Sequence, residues 1–163
     1  MRNLIFFIIG LAVILVELFF LNDLHIISVN INLLLIYMVC IALFSEIDKA
    51  LFLALLMGLA KDFTVERIVG VNALIFIVIA LVIRRLKEVI YKDKPMTPFL
   101  FLLLSSFLYS MVYIALYKLY LGRAFMFSYV ATNIPIFVFV ETVLGTLLFL
   151  PIKKMIYQIQ DRW

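Results

Sequence analysis

Apolar runs bounded by charge divide this chain into six segments, 4–21, 26–45, 50–62, 68–86, 98–117 and 127–150. The runs are continuous rather than alternating, which predicts helices and argues against the period-two strands of a membrane barrel. The first is broken only by Glu17, and at 1.5 Å per residue its eighteen residues reach about 27 Å, enough to cross a hydrocarbon core. Arg2 before an apolar run resembles the start of a signal peptide. The run is long and no small-x-small site follows it, so an uncleaved first span is expected. The second segment has no charge and carries Asn30 and Asn32 near its start. Glu46, Asp48 and Lys49 mark a tight turn.

The third segment is the shortest, with eleven charge-free residues over 50–60 before Lys61 and Asp62. It spans only if Lys61 snorkels and Asp62 lies within the protein or at the interface. The fourth closes on a basic link, Arg84, Arg85, Lys87, Lys92 and Lys94, interrupted by Glu88 and Asp93. Pro95 and Pro98 set the start of the fifth. In the sixth, Pro135 predicts a kink, and Pro151, Lys153 and Lys154 are expected to end it.

Composition agrees with this reading. Of 163 residues, 67% are hydrophobic and 15% charged, with a mean hydropathy of +1.24, whereas a soluble domain is about half apolar and a quarter charged. One all-α integral membrane domain over residues 1–163 is expected. The basic balance, with a formal net charge of +4, then reports topology and not nucleic acid. With the N-terminus in the cytoplasm, Arg2, Lys49, Arg84, Arg85, Lys87, Lys92, Lys94, Lys153, Lys154 and Arg162 fall inside. Lys61, Arg67, Lys118 and Arg123 fall outside, and ten against four favours six spans with both termini cytoplasmic.

Little of the sequence suggests reaction chemistry. Single Cys40 and single His25 exclude an intrachain disulfide and a Cys- or His-rich metal centre. No P-loop, HExxH, GxSxG or CxxC pattern occurs, so no enzyme and no cofactor are expected. Three acids lie in or at the ends of spans: Glu17, Asp62 and Glu141. An acid at a helix centre costs about 2.5–3.5 kcal/mol on insertion scales, so each should face protein or water. Each shares a helix face with a glycine: Gly10 with Glu17, Gly58 with Asp62, Gly145 with Glu141.

Small residues allow close helix approach, and acids there can hydrogen-bond across the contact. Glu17, Asp62 and Asn72 fall at similar depth toward the outside, with Lys61 and Arg67 as available counter-charges. They form either an outward polar cluster that binds a partner helix or small ligand, or intramolecular packing. The basic link is a positive-inside anchor for anionic lipid, or a docking site for a cytoplasmic partner. Tyr109, Tyr113, Tyr117 and Tyr120 step along the fifth segment as a packing and interfacial stripe.

The stretch between the third and fourth segments carries a family resemblance. It reads Gly58-Leu-Ala-Lys-Asp62, then Gly70-Val-Asn72 opening an apolar helix. This resembles the bacterial rod shape-determining MreD family, as do the Leu-rich run with Tyr37, the basic link, the Pro98 start, the Glu141 region and the six-segment layout. The chain departs from many members in having Asn30 and Asn32 where they place a proline. The resemblance implies a non-enzymatic scaffold subunit of the elongasome in the bacterial cytoplasmic membrane, supporting cell shape and lateral peptidoglycan synthesis. It implies direct binding to MreC, and through it association with MreB, RodA and the transpeptidase partner of RodA. It also implies a fold similar to the substrate-binding subunits of energy-coupling-factor transporters.

The partner-binding or packing face would carry Gly58, Asp62, Gly70, Asn72, Glu17 and Glu141. A vitamin-binding transporter subunit is the alternative, although Ala12 is followed by Val16 where an Ala-x-x-x-Ala docking face would be needed. An intramembrane aspartyl peptidase would need a second intramembrane Asp beside Asp62.

Overall fold

The computed structural model describes residues 2–21, 31–65, 69–87, 96–121 and 127–162, and all the described secondary structure is helical. The helices are α1 (Arg2–Val16, extended by a π-helical turn Glu17–Leu21), α2 (Leu33–Phe44), α3 (Ile47–Val65), α4 (Val71–Lys87), α5 (Met96–Leu121) and α6 (Phe127–Arg162).

α2 is the centre. Its residues from Leu34 to Leu43 are buried all round, as expected of a helix apolar on every face. It packs on each of the other five, which follow one another around it in the order α1, α3, α4, α5, α6. Apart from the Tyr37 hydroxyl and the Cys40 thiol, the polar groups of α2 lie at its ends. At its N-terminus Asn32 caps the first turn, its Oδ1 accepting the Leu35 N–H at 3.0 Å. At its C-terminus Lys87 Nζ donates to the carbonyls of Ala42 and Ser45, both at 3.2 Å, and places a cation on the negative end of the helix.

α3 starts after a bend at Ser45–Glu46 with Asp48 in its first turn and a Glu46–Lys49 ion pair. α3 and α4 form the closest-packed pair. A Cβ built on Gly58 would fall on the Cα and N of Ala73 and lie 2.9 Å from its Cβ, so only glycine permits this approach. Gly10 and Gly145 face softer neighbours: the thioether end of Met57, and the methyls of Leu102 at 2.8 Å. α1 is held to the core by the Tyr37 hydroxyl, which donates to the Phe6 carbonyl at 2.9 Å.

Several boundaries differ from those read in the sequence. α3 begins at Ile47, so Asp48 and Lys49 lie in its first turn and not in the link. α4 begins at Val71, and α5 runs from Met96, two residues before Pro98, to Leu121. The described helix after the first link begins at Leu33, with Ile31 and Asn32 still outside it. Residues 22–30, His25 and Asn30 among them, lie outside the described residues. α3 runs on to Val65, past the expected 62. α6 does not end at Leu150 but continues helically through Pro135 and Pro151 to Arg162. A proline removes one intrahelical N–H without forbidding helix on either side.

The outside of the bundle is apolar. On α1 it shows Leu4, Ile8, Leu11 and Leu15; on α6 Ile136, Phe139, Val143 and Leu147. These spacings of three and four place each set on one face. Met96–Ala115 and Ile134–Ile159 are long and apolar enough to cross a membrane; Asn3–Phe19 and Leu33–Phe44 are shorter apolar helices.

Candidate functional site

The polar residues gather where α1 and α3 end and α2 and α4 begin, here the upper end of the bundle. Two consecutive residues of α3, Lys61 and Asp62, point into separate clusters, as neighbours about 100° apart on a helix must.

Lys61 is 4% exposed and turned inward. Its Nζ donates to Glu17 Oε1 at 2.6 Å and to Asn32 Oδ1 at 2.8 Å. The other carboxylate oxygen of Glu17 accepts the Leu34 N–H at 3.2 Å. The backbone N–H of Asn32 donates to Glu141 Oε2 at 3.1 Å, while Glu141 Oε1 has no hydrogen-bond partner among the described residues. One buried cation and one asparagine therefore join α1, α2, α3 and α6. Glu17 opens the π-helical turn of α1, and turns of this kind concentrate where a side chain must be re-aimed.

Asp62 faces the other way and is completely buried. Its Oδ2 accepts the N–H of Gly70 at 2.9 Å and of Ala73 at 3.3 Å. Its Oδ1 accepts the backbone N–H of Asn72 at 3.0 Å and the Asn72 side-chain amide at 2.9 Å. A carboxylate from α3 thus satisfies the free N–H groups that open α4 and sits at the positive end of its dipole. Gly70 makes the turn possible with φ +100, a conformation that strains any side chain. Asn72 Oδ1 in turn accepts the Tyr109 hydroxyl of α5 at 2.7 Å, and the Tyr109 ring lies beside Phe76, Tyr113 and Phe137.

Asp62→Asn should lower stability by about 1–3 kcal/mol, because one acceptor becomes a donor facing N–H groups and the charge on the dipole is lost. Denaturant titration of the purified protein in micelles measures this; an unchanged midpoint would mean that Asp62 does not cap α4.

The structure brings together Glu17, Lys61, Asn32 and Glu141, and separately Asp62, Gly70, Asn72 and Tyr109. Glu17 is therefore not the companion of Asp62; Lys61 is its partner. The expected snorkelling of Lys61 does not occur, since its cation is consumed inside the bundle, whereas Asp62 lies within the protein as required. The glycine–acid pairs divide: Gly58 makes the α3/α4 contact, and Gly10 and Gly145 pack on side chains away from the acids. The sequence marks Asn32 only as a polar residue near the start of the second segment, and Tyr109 only as part of a packing stripe; neither is expected in the site. An Asn just before a leucine run is a helix-cap signal, but nothing local to Tyr109 pointed to Asn72.

At the lower end Arg84 and Arg85 are exposed and Lys87 caps α2. Lys153 Nζ lies over the rings of Phe44 and Tyr157, at 5.4 and 5.8 Å. Lys92, Lys94 and Arg67 lie outside the described residues, and so do the side chains of Tyr117 and Tyr120. Among the described residues no cluster of His, Cys, Asp and Glu could hold a metal ion.

Among the described residues, an apolar exterior, two helices long enough to cross a bilayer and charges confined to the inside and the ends define a helical membrane protein. The chain belongs to the rod shape-determining protein MreD family, whose model matches residues 1–159. No curated protein and no solved structure matches it. Membership gives it a role in rod-shape determination, within a family of shape-determining membrane proteins.

Proposed function

We propose that this protein is a non-enzymatic scaffold subunit of the elongasome. It crosses the bacterial cytoplasmic membrane six times, with both termini in the cytoplasm, and binds MreC directly. MreB, RodA and the transpeptidase partner of RodA join through that complex, which places the protein in lateral peptidoglycan synthesis. Its fold, on this reading, is similar to that of energy-coupling-factor substrate-binding subunits, as the family resemblance implies. In this topology the upper end faces outward, and Arg84, Arg85, Lys153 and Lys154 lie at the cytoplasmic surface, where the positive-inside rule places them.

One observation carries the scaffold reading. The described intramembrane charged residues tie helices together: Lys61 joins α3 to α1 and to the α2 cap, the Asn32 N–H joins that cap to Glu141 of α6, and Asp62 joins α3 to α4 and, through Asn72, to α5. What remains on the outside is a set of rigid apolar helix faces, the surface a partner's transmembrane helix packs on. The partner-binding role of Gly58, Asp62, Gly70, Asn72, Glu17 and Glu141 is on this reading indirect: they fix the shape of the faces that are bound.

Affinity purification of the full chain in mild detergent, with identification of co-purifying membrane proteins, tests the reading. MreC should be recovered in near-stoichiometric amount, and MreB and RodA below it. Recovery of transporter ATPases with a bound vitamin, and no MreC, would overturn it.

A further inference from the structure

The helices around α2 differ in the apolar length they offer to lipid. On α4 the exposed face runs from the Val69–Gly70 turn through Leu74 and Leu81 to exposed Arg84. Fourteen helical steps from Gly70 to Arg84 give about 21 Å. The neighbouring α3 face runs from exposed Asp48 through Phe52 and Leu55 to exposed Thr64, about 24 Å. Tilt only shortens these projections. On α5 the apolar stretch covers at least Met96–Ala115, about 28 Å, and on α6 at least Ile134 to Ile152, before Lys153, about 27 Å; both helices run on beyond these residues.

A typical hydrocarbon core is about 30 Å thick. The α5/α6 side nearly matches it, while the α3/α4 side falls short by about 6–9 Å. Neither end of the short side can slide freely inward. The lower end carries Arg84 and Arg85, and the upper end is a turn whose backbone cannot sit in hydrocarbon facing lipid. Asp62 reinforces the upper limit from inside, since it fixes the end of α3 to the start of α4.

We infer that the α3/α4 face holds the bilayer locally thinner than the α5/α6 face, and that its partner is phospholipid with short or compressed acyl chains. The inference rests on the six-span reading above. A body that is thick on one side and thin on the other tilts the leaflets around it, so the protein would mark its own patch of deformed membrane.

Tryptophan quenching by brominated phosphatidylcholine tests this in the full chain. In a Trp163→Phe background, Leu74→Trp reports lipid at α4 and Leu147→Trp reports lipid at α6. Each variant is reconstituted in vesicles in which the brominated lipid competes with dimyristoleoyl, dioleoyl or dierucoyl phosphatidylcholine. The Leu74→Trp position should favour the shortest chain over the longest by about threefold, a preference in the range that mismatch energies give. The Leu147→Trp position should favour dioleoyl lipid. The same optimum at both positions would overturn the inference while leaving the six-span reading intact; it would mean that snorkelling by Arg84 and Arg85 takes up the mismatch. Quenching at Leu147→Trp alone would also overturn it, by showing that protein covers the α3/α4 face. No quenching at either position would sink both the inference and the reading it rests on.

Discussion

Gly58→Leu will prevent α3 from closing on α4. The first atom of any side chain at this position lands on the backbone of Ala73, and backbone cannot swing aside as a side-chain end can. Inserting atoms into a packed contact costs about 1–3 kcal/mol, and more where no rotamer relieves it. Gly58→Ala should therefore lose about 3 kcal/mol, and Gly58→Leu should yield inserted protein without a stable bundle.

The effect propagates, because the same crossing holds Asp62 over the start of α4 and Asn72 against Tyr109. Thermal denaturation in micelles, followed by the fraction that stays monodisperse, checks it. Gly10→Ala is the control: its new methyl meets the flexible end of Met57, and a shift within about 1 kcal/mol is expected. Equal losses from the two alanine variants would disprove the backbone-contact account.

Lys61→Met will cost about 3–5 kcal/mol, the loss that follows when one partner of a buried ion pair is removed and the other stays charged. Here the stranded groups are Glu17 Oε1, in a side chain only 14% exposed, and Asn32 Oδ1, which loses its cationic donor. Removing both charges should be much milder. Glu17→Gln combined with Lys61→Met keeps an oxygen that can accept the Leu34 N–H and leaves no unpaired ion, so it should regain about 2 kcal/mol or more over the single variant. A denaturant-based double-mutant cycle reads the coupling directly. If the double variant is no better than Lys61→Met, the ion pair is not what joins α1 to α3.

The two substitutions also separate packing from partner binding. Both act on residues buried within the chain, so any loss of MreC from such a variant should track its loss of fold. Substitutions on the exposed stripe of α1 or α6, such as Leu11→Ala or Leu147→Ala, leave the fold in place. They are the ones able to weaken MreC recovery by themselves, as the same pull-down would show.

Much of this was decided by the order of residues alone. Apolar runs too long and too continuous for strands determined helices and a lipid setting. The cost of charge in hydrocarbon marked Glu17, Asp62 and Glu141 as inward-facing, and the spacing Gly58 to Asp62 marked the face on which α3 is closely packed. Those are local or solvent-driven properties, readable without knowing what lies opposite.

Other features were decided only in three dimensions. Glu141 reaches the backbone of Asn32 across 109 residues, and Tyr109 reaches Asn72 across 37; no periodicity encodes such meetings. Lys61 looked like a charge for the outer surface, because snorkelling is the default for an isolated lysine. It turned inward because Glu17 and the cap of α2 together offered it better partners than the headgroup layer. Pro151 looked like a terminator because a proline costs one hydrogen bond locally. α6 passes through it because Ile156 beyond it is buried and Ile152, Met155 and Ile159 pack partly buried against the bundle, and that packing outweighs the lost bond.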